Sequence, residues 1–197
     1  KALGASLVGT TKINPLWVVR VTSDCPLIDP ELIDKTIHFT KTNNLKYYSN
    51  QLNNCYPDGF DVEVFTFDAL KDAYENAILK SDREHVTPFI RRKYNTKFIL
   101  SDDELEFKYK YSTLRVTVDE SADLELIKEL LNKLGENKVW KEYSDHLLEN
   151  SNLINLNSKL LKNYGYMKSK FEEIELRNIT NFTNSNEYRK KIHNLIP

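Results

Sequence analysis

The sequence predicts an α/β fold, and three observations carry the prediction: a β-branched run that ends in a polar turn, a helix start just beyond that turn, and a second β-rich run where the helix stops. Val18, Val19 and Val21 suit a pleated, half-buried strand, and Arg20 and Thr22 share one of its faces with Val18. Ser23, Asp24 and Pro26 end that pattern. Asp29-Pro30 then supplies an N-cap carboxylate followed by proline at the first helical position. Leu32, Ile33 and Ile37 give the helix its apolar side up to Asn43-Asn44, and residues 45–50 read as the next strand. Strand–helix–strand crossovers are right-handed in nearly all proteins, so a mostly parallel sheet is expected. In open α/β sheets ligands bind beyond the carboxyl ends of the strands, which is where Asp24 stands.

The next elements follow in order. Pro57 and Asp58-Gly59 mark a turn, and residues 60–65 alternate: Phe60, Val62 and Val64 face one way, Asp61, Glu63 and Phe65 the other. The Asp61/Glu63 pair is open to two readings, a cation or sugar-hydroxyl site and a solvated strand face. Leu70, Ala73, Tyr74, Ala77 and Ile78 fit an amphipathic helix. Ser81-Asp82-Arg83-Glu84 has the form of a capping box, which would occupy Glu84 in bonding back to the helix start. Pro88 demands either a kink near Thr87 or a new helix. Arg91-Arg92-Lys93 reads as a solvated face and Asp102-Asp103-Glu104 as an acidic, solvent-facing loop.

Residues 114–119 alternate again, with Arg115, Thr117 and Asp119 on one strand face and Asp119 at the carboxyl end, placed like Asp24. If the two strand ends adjoin, the carboxylates suit one Mg²⁺, a hard cation that takes one or two protein carboxylates and fills its shell with water and phosphate oxygens. Leu124, Ile127, Leu130, Leu131 and Leu134 form a helical stripe stopped by Gly135, with a further helix over residues 138–148. Past residue 149 the composition turns to Asn, Lys and Ser, which predicts an α/β domain over 1–148 and a helical extension over 149–197.

A net charge of −1 over 197 residues gives no electrostatic footprint for nucleic acid, and no run approaches the roughly 18 apolar residues of a membrane span. Two cysteines, Cys25 and Cys55, make neither a metal motif nor a disulfide framework, so a cytoplasmic setting is expected. With no base evident beside it, Cys25 reads as a small apolar filler rather than a nucleophile. The sequons at Asn178 and Asn181 read as coincidence.

Four ordered blocks, VVRVTSDCPLIDPELID, YPDGFDVEVF, DREHVTPFIRR and LRVTVDESADLE, resemble the cytidylyltransferase-like family of spore coat polysaccharide biosynthesis. Its relatives are the acylneuraminate and 3-deoxy-manno-octulosonate cytidylyltransferases. The resemblance implies a Rossmann-like sheet of the nucleotide-diphospho-sugar transferase type. It also implies transfer of CMP from CTP to a sugar with release of pyrophosphate, Mg²⁺ as cofactor, and a homodimer. By resemblance, Asp24 and Asp119 hold the metal, and Arg115 neutralises phosphate or steadies Asp119. Arg20, Thr22, Asp61, Glu63, Arg83, Glu84 and His85 face the sugar, and a Gly-Tyr-x-Lys-Ser run matches residues 165–169. Family members open with a basic, Gly-containing loop around the triphosphate. No such loop occurs here, so the chain reads as incomplete at its N-terminus, the later part of a longer protein or a truncated relative. Two rival readings stay open: a nucleotide-sugar-dependent glycosyltransferase, and a non-catalytic binding or assembly module.

Overall fold

The computed structural model describes residues 6, 13, 15–96, 100–160 and 168–174. Among these, three strands form one sheet in the order β1-β3-β2: β1 (Trp17–Arg20), β2 (Tyr47–Ser49) and β3 (Glu63–Thr66). Both ladders are antiparallel. Hence β1 and β2 run parallel to each other, as the strand–helix–strand pattern requires, while β3 lies antiparallel between them. The expected mostly parallel pairing is corrected to that extent. The reason is local: after β2 the chain doubles back through residues 50–62, and a returning strand pairs antiparallel with the one it has just left.

Helices flank the sheet among the described residues, α1 (Pro30–Thr42), α2 (Phe67–Asn76), α3 (Lys80–His85), α4 (Pro88–Tyr94), α5 (Asp102–Tyr111), α6 (Ser121–Leu134), α7 (Trp140–Glu149) and α8 (Ser151–Asn155), and residues 168–174 are helical as well. Register sorts them into layers. Val18 and Tyr47 both lie opposite Phe65, and this face packs on Ala69, Leu70 and Ala73 of α2 and Ile90 of α4. Val64 points the other way with Tyr48 across from it, and the Tyr48 ring stacks 4.5 Å from Phe39 of α1. Helices on both faces of a sheet define the α/β class.

A second core joins Leu32 of α1 to Tyr111 of α5, Leu126 and Leu130 of α6, and Trp140 and Leu147 of α7, around Phe60, Leu114 and Val116. Leu153 and Ile154 of α8 pack against the same core. Asp29 ties this core to α1: one carboxylate oxygen caps the helix at Glu31 N (2.7 Å) and the other accepts from Trp140 N (2.8 Å).

Several sequence expectations are revised by tertiary partners. The buried stripe of α1 is Leu32, Thr36 and Thr40, each threonine hydroxyl satisfied by the carbonyl four residues earlier. Tyr74 is exposed within α2, whose buried side is Ala69, Leu70 and Ala73, and Ile78 is exposed because α2 ends at Asn76. Pro88 opens a new helix. Asp102, Asp103 and Glu104 form the first turn of α5, closed by a Ser101/Glu104 capping box. The extended segment 114–118 is not a ladder strand: its one bridge is the parallel Asp58–Arg115 pairing. The sequons, most of residues 1–14, and residues 165–167 lie outside the described residues.

Asp145 of α7 accepts from Lys110 (2.8 Å), Lys141 (2.7 Å) and Tyr111 (2.6 Å). Burial alone would raise its carboxyl, but these donors outweigh it and hold the group below the ordinary range. A depressed carboxyl stabilises the fold above the unfolded-state value of about 3.9, and the contribution is lost as pH falls through the folded value. Urea titrations below pH 4 should therefore show a shallower acid slope for Asp145→Asn than for the unmodified protein; equal slopes would refute the assignment.

Candidate functional site

The extended segment 114–118 brings the site together because two loops bond to it. Val116 N donates to Asp58 O (2.7 Å) and Asp58 N to Leu114 O (3.0 Å). Farther along, Val118 N (2.8 Å) and Thr117 Oγ1 (3.0 Å) both donate to the Asp24 carbonyl. The Asp24 turn and Asp119 are thus placed side by side, 95 residues apart in sequence by subtraction of their numbers.

The Asp24 turn is held locally: Cys25 N donates to Thr22 O (3.1 Å), and Thr22 Oγ1 lies 3.3 Å from Cys25 Sγ. Burial, with the charges of Asp61 and Asp24 nearby, pushes the Cys25 thiol up to about 12. It is protonated at neutral pH and is not a nucleophile. Asp61 therefore sits beside the Asp24 turn.

Arg115 and its partners form a buried clamp. Its side chain is 9% exposed and meets three carboxylates. Nε and Nη2 donate to Asp123 (3.0 and 2.9 Å), Nη1 to Asp58 (3.0 Å) and Nη2 to Asp119 (2.7 Å). Of the two roles expected for Arg115, contact with Asp119 is present, and its donors are committed to carboxylates. Burial would lower the guanidinium, but hydrogen bonds to Asp123 and Asp119 hold it charged. For Asp123, burial pushes up while bonds from Arg115, Asn157 and the Asp119 and Glu120 amides pull down, and the net direction is down.

The other expected substrate residues separate into two groups. Glu63 accepts from Arg20 Nη1 (2.6 Å), Tyr47 OH (2.7 Å) and Thr87 Oγ1 (3.0 Å), so both its oxygens are engaged. Arg83 turns away: Nη2 donates to the Tyr74 carbonyl (3.2 Å) and the guanidinium lies over the Tyr74 ring. The capping box expected of Glu84 is absent, because Ser81 N is taken by Glu173 of the helical segment 168–174 (2.6 Å). His85 Nε2 lies 3.2 Å from Ser169 Oγ of that segment. Burial, then the Arg20 charge, lower its pKa against the pull of Glu84 and Glu173.

Sequence reasoning missed Asp58, Asp123, Thr87 and Asn157. The strand-end rule points only at Asp24 and Asp119, and Asp123 reads as an ordinary first-turn helix acid. Val86 was also unreadable: at φ 69° and ψ −56°, with Thr87 N bonded to His85 O (2.8 Å), it forms a classic γ-turn. That strain, about 1–3 kcal/mol, aims Thr87 at Glu63 and His85 at Ser169.

Helices on both faces of a sheet define an α/β protein, in which the Asp24 turn adjoins the segment that leads to Asp119. The chain belongs to the cytidylyltransferase family, whose model matches residues 7–159. It is 37% identical over 144 residues to the uncharacterized protein MJ1063 of Methanocaldococcus jannaschii, covering 73% of this chain and 58% of that protein. It is 32% identical over 130 residues to the spore coat polysaccharide biosynthesis protein SpsF of Bacillus subtilis, covering 63% and 50%. The fold matches a cytidylyltransferase structure from Leptospira borgpetersenii with a TM-score of 0.67 at 23% identity, over 77% of this chain and 64% of that one. The chain spans about half the length of the curated relatives it matches.

Proposed function

We propose that this chain carries the metal and sugar side of a cytidylyltransferase that joins CMP from CTP to a sugar hydroxyl, releases pyrophosphate and serves surface-glycan synthesis. The observation that supports this reading is the pairing of Val118 N and Thr117 Oγ1 with the Asp24 carbonyl, which brings the Asp24 turn beside the segment that leads to Asp119.

The donor set fits Mg²⁺. Asp119 is 53% exposed, with one oxygen on Arg115 and the other turned to no hydrogen-bond donor among the described residues, and Asp24 is half-buried with a single long contact to Cys25 Sγ (3.7 Å). Two carboxylates with open oxygens leave most of an octahedron to water and phosphate. No set of three or more metal-ligating side chains occurs among the described residues. When bound, Mg²⁺ supplies charge neutralisation at the phosphates.

The protein's own groups do the rest. Arg115 fixes the Asp119 rotamer. His85, whose pKa burial lowers, would face the sugar beside Ser169, and Glu63 ties Arg20 to Thr87, two residues from His85.

Calorimetry with CTP and Mg²⁺ tests this reading. The unmodified chain should bind CTP in a Mg²⁺-dependent way, and Asp24→Ala or Asp119→Ala should weaken that binding at least about tenfold. Absence of Mg²⁺-dependent binding by the unmodified chain would overturn it.

A further inference from the structure

We infer that Asp123 and Asn157 are positioning residues for the metal-side carboxylate Asp119, so that the segment after α7 tunes the cation affinity of a site it does not touch. The inference rests on the metal reading above and deepens it.

Asp119 is held at two points, by two partners that are bonded to each other. Its backbone N donates to Asp123 Oδ2 (3.1 Å), and its carboxylate is held by Arg115 Nη2, which also donates to Asp123 Oδ2 (2.9 Å). Backbone and side chain of Asp119 are therefore both referred to one buried carboxylate, 0% exposed. Asp123 in turn is fixed from outside α6. Asn157 Nδ2, on a residue 5% exposed, donates to Asp123 Oδ1 (2.8 Å) and to the Arg115 carbonyl (3.1 Å). One amide thus spans the two residues that hold Asp119.

Capping of α6 alone does not account for this arrangement. The Glu120 and Asp119 amides would satisfy a cap, yet Arg115 and Asn157 also converge on the same carboxylate. Groups that orient a metal-binding side chain typically cost 10–100-fold in metal affinity when removed.

The test is a titration with Mn²⁺ in place of Mg²⁺ at fixed CTP, followed by paramagnetic resonance and corrected for CTP alone, with folding checked by circular dichroism. Asn157→Ala should weaken cation binding about tenfold and Asp123→Asn more, toward about 100-fold. Ser158→Ala, an exposed neighbour bonded only to Asn155 O, should bind like the unmodified chain. Should Asp123→Asn fail to fold, Asn157→Ala decides alone. Folded variants with unaltered Mn²⁺ affinity, beside an unmodified chain that binds, would overturn this inference and leave the metal reading standing. An unmodified chain that binds no cation overturns both.

Discussion

Arg115→Met is expected to destabilise the protein by about 3–5 kcal/mol, the range for breaking a buried ion pair by removing one partner. Methionine keeps the stem's volume and deletes the charge. What remains is Asp123 at 0% and Asp58 at 7% side-chain exposure, each having lost its guanidinium, and Asp119, which has water to turn to at 53%. The cost therefore falls on Asp58 and Asp123. The pH dependence should become shallower as well. In the unmodified protein the Asp123 carboxyl is depressed, so its contribution is present above the unfolded value and lost as pH falls. Without Arg115, the bonds from Asn157 and the Asp119 and Glu120 amides remain but the largest opposing pull on the buried carboxyl is gone, so the folded value rises toward the unfolded one and less stability is lost on acidification. Urea unfolding at pH 7 and pH 5 reads both effects. A loss under about 1 kcal/mol at pH 7, or an unchanged pH slope, would show that the buried carboxylates do not depend on Arg115.

That prediction could not have been made from the sequence, and the reason is physical. The Asp29-Pro30 helix start was legible because a cap and a proline act within one turn of the chain, and the structure forms it. The end of α6 at Gly135 was legible for the same reason. The clamp depends on partners 57 and 34 residues apart, Arg115 with Asp58 and Asp123 with Asn157, and no local pattern announces such pairings. Where a local signal existed, a distant partner could override it. Ser81 to Glu84 has the letters of a capping box, but Glu173, 92 residues on, captures the Ser81 amide. Arg83, expected by resemblance to face substrate, bonds to the Tyr74 carbonyl nine residues back, a contact that no local pattern announces. Asp24 and Asp119 read as strand-end carboxylates, although 114–118 is an extended segment outside the sheet. Their adjacency required the fold, because it is made by two bonds to a backbone carbonyl.

Gly59→Ala is expected to cost about 3–5 kcal/mol, summing backbone strain and overpacking at one position. Gly59 has φ +113°, a conformation that a side chain rarely tolerates. A Cβ there would also meet backbone, at 2.5 Å from Thr117 N and 2.6 Å from Val116 C. Neither atom can yield without moving the segment whose next amide, Val118 N, bonds to Asp24 O. Relief of the clash therefore separates the Asp24 turn from Asp119. The variant should lose stability and Mg²⁺-dependent CTP binding together, although position 59 carries no ligating group. Gly135→Ala isolates the conformational part: φ is +76°, nothing lies within 4 Å of the added Cβ, and the cost should be about 1 kcal/mol with CTP binding retained. If the two alanine variants lose similar stability, strain alone explains Gly59. If Gly59→Ala loses more and binding falls with it, the close backbone approach at the turn is what sets the two carboxylates side by side.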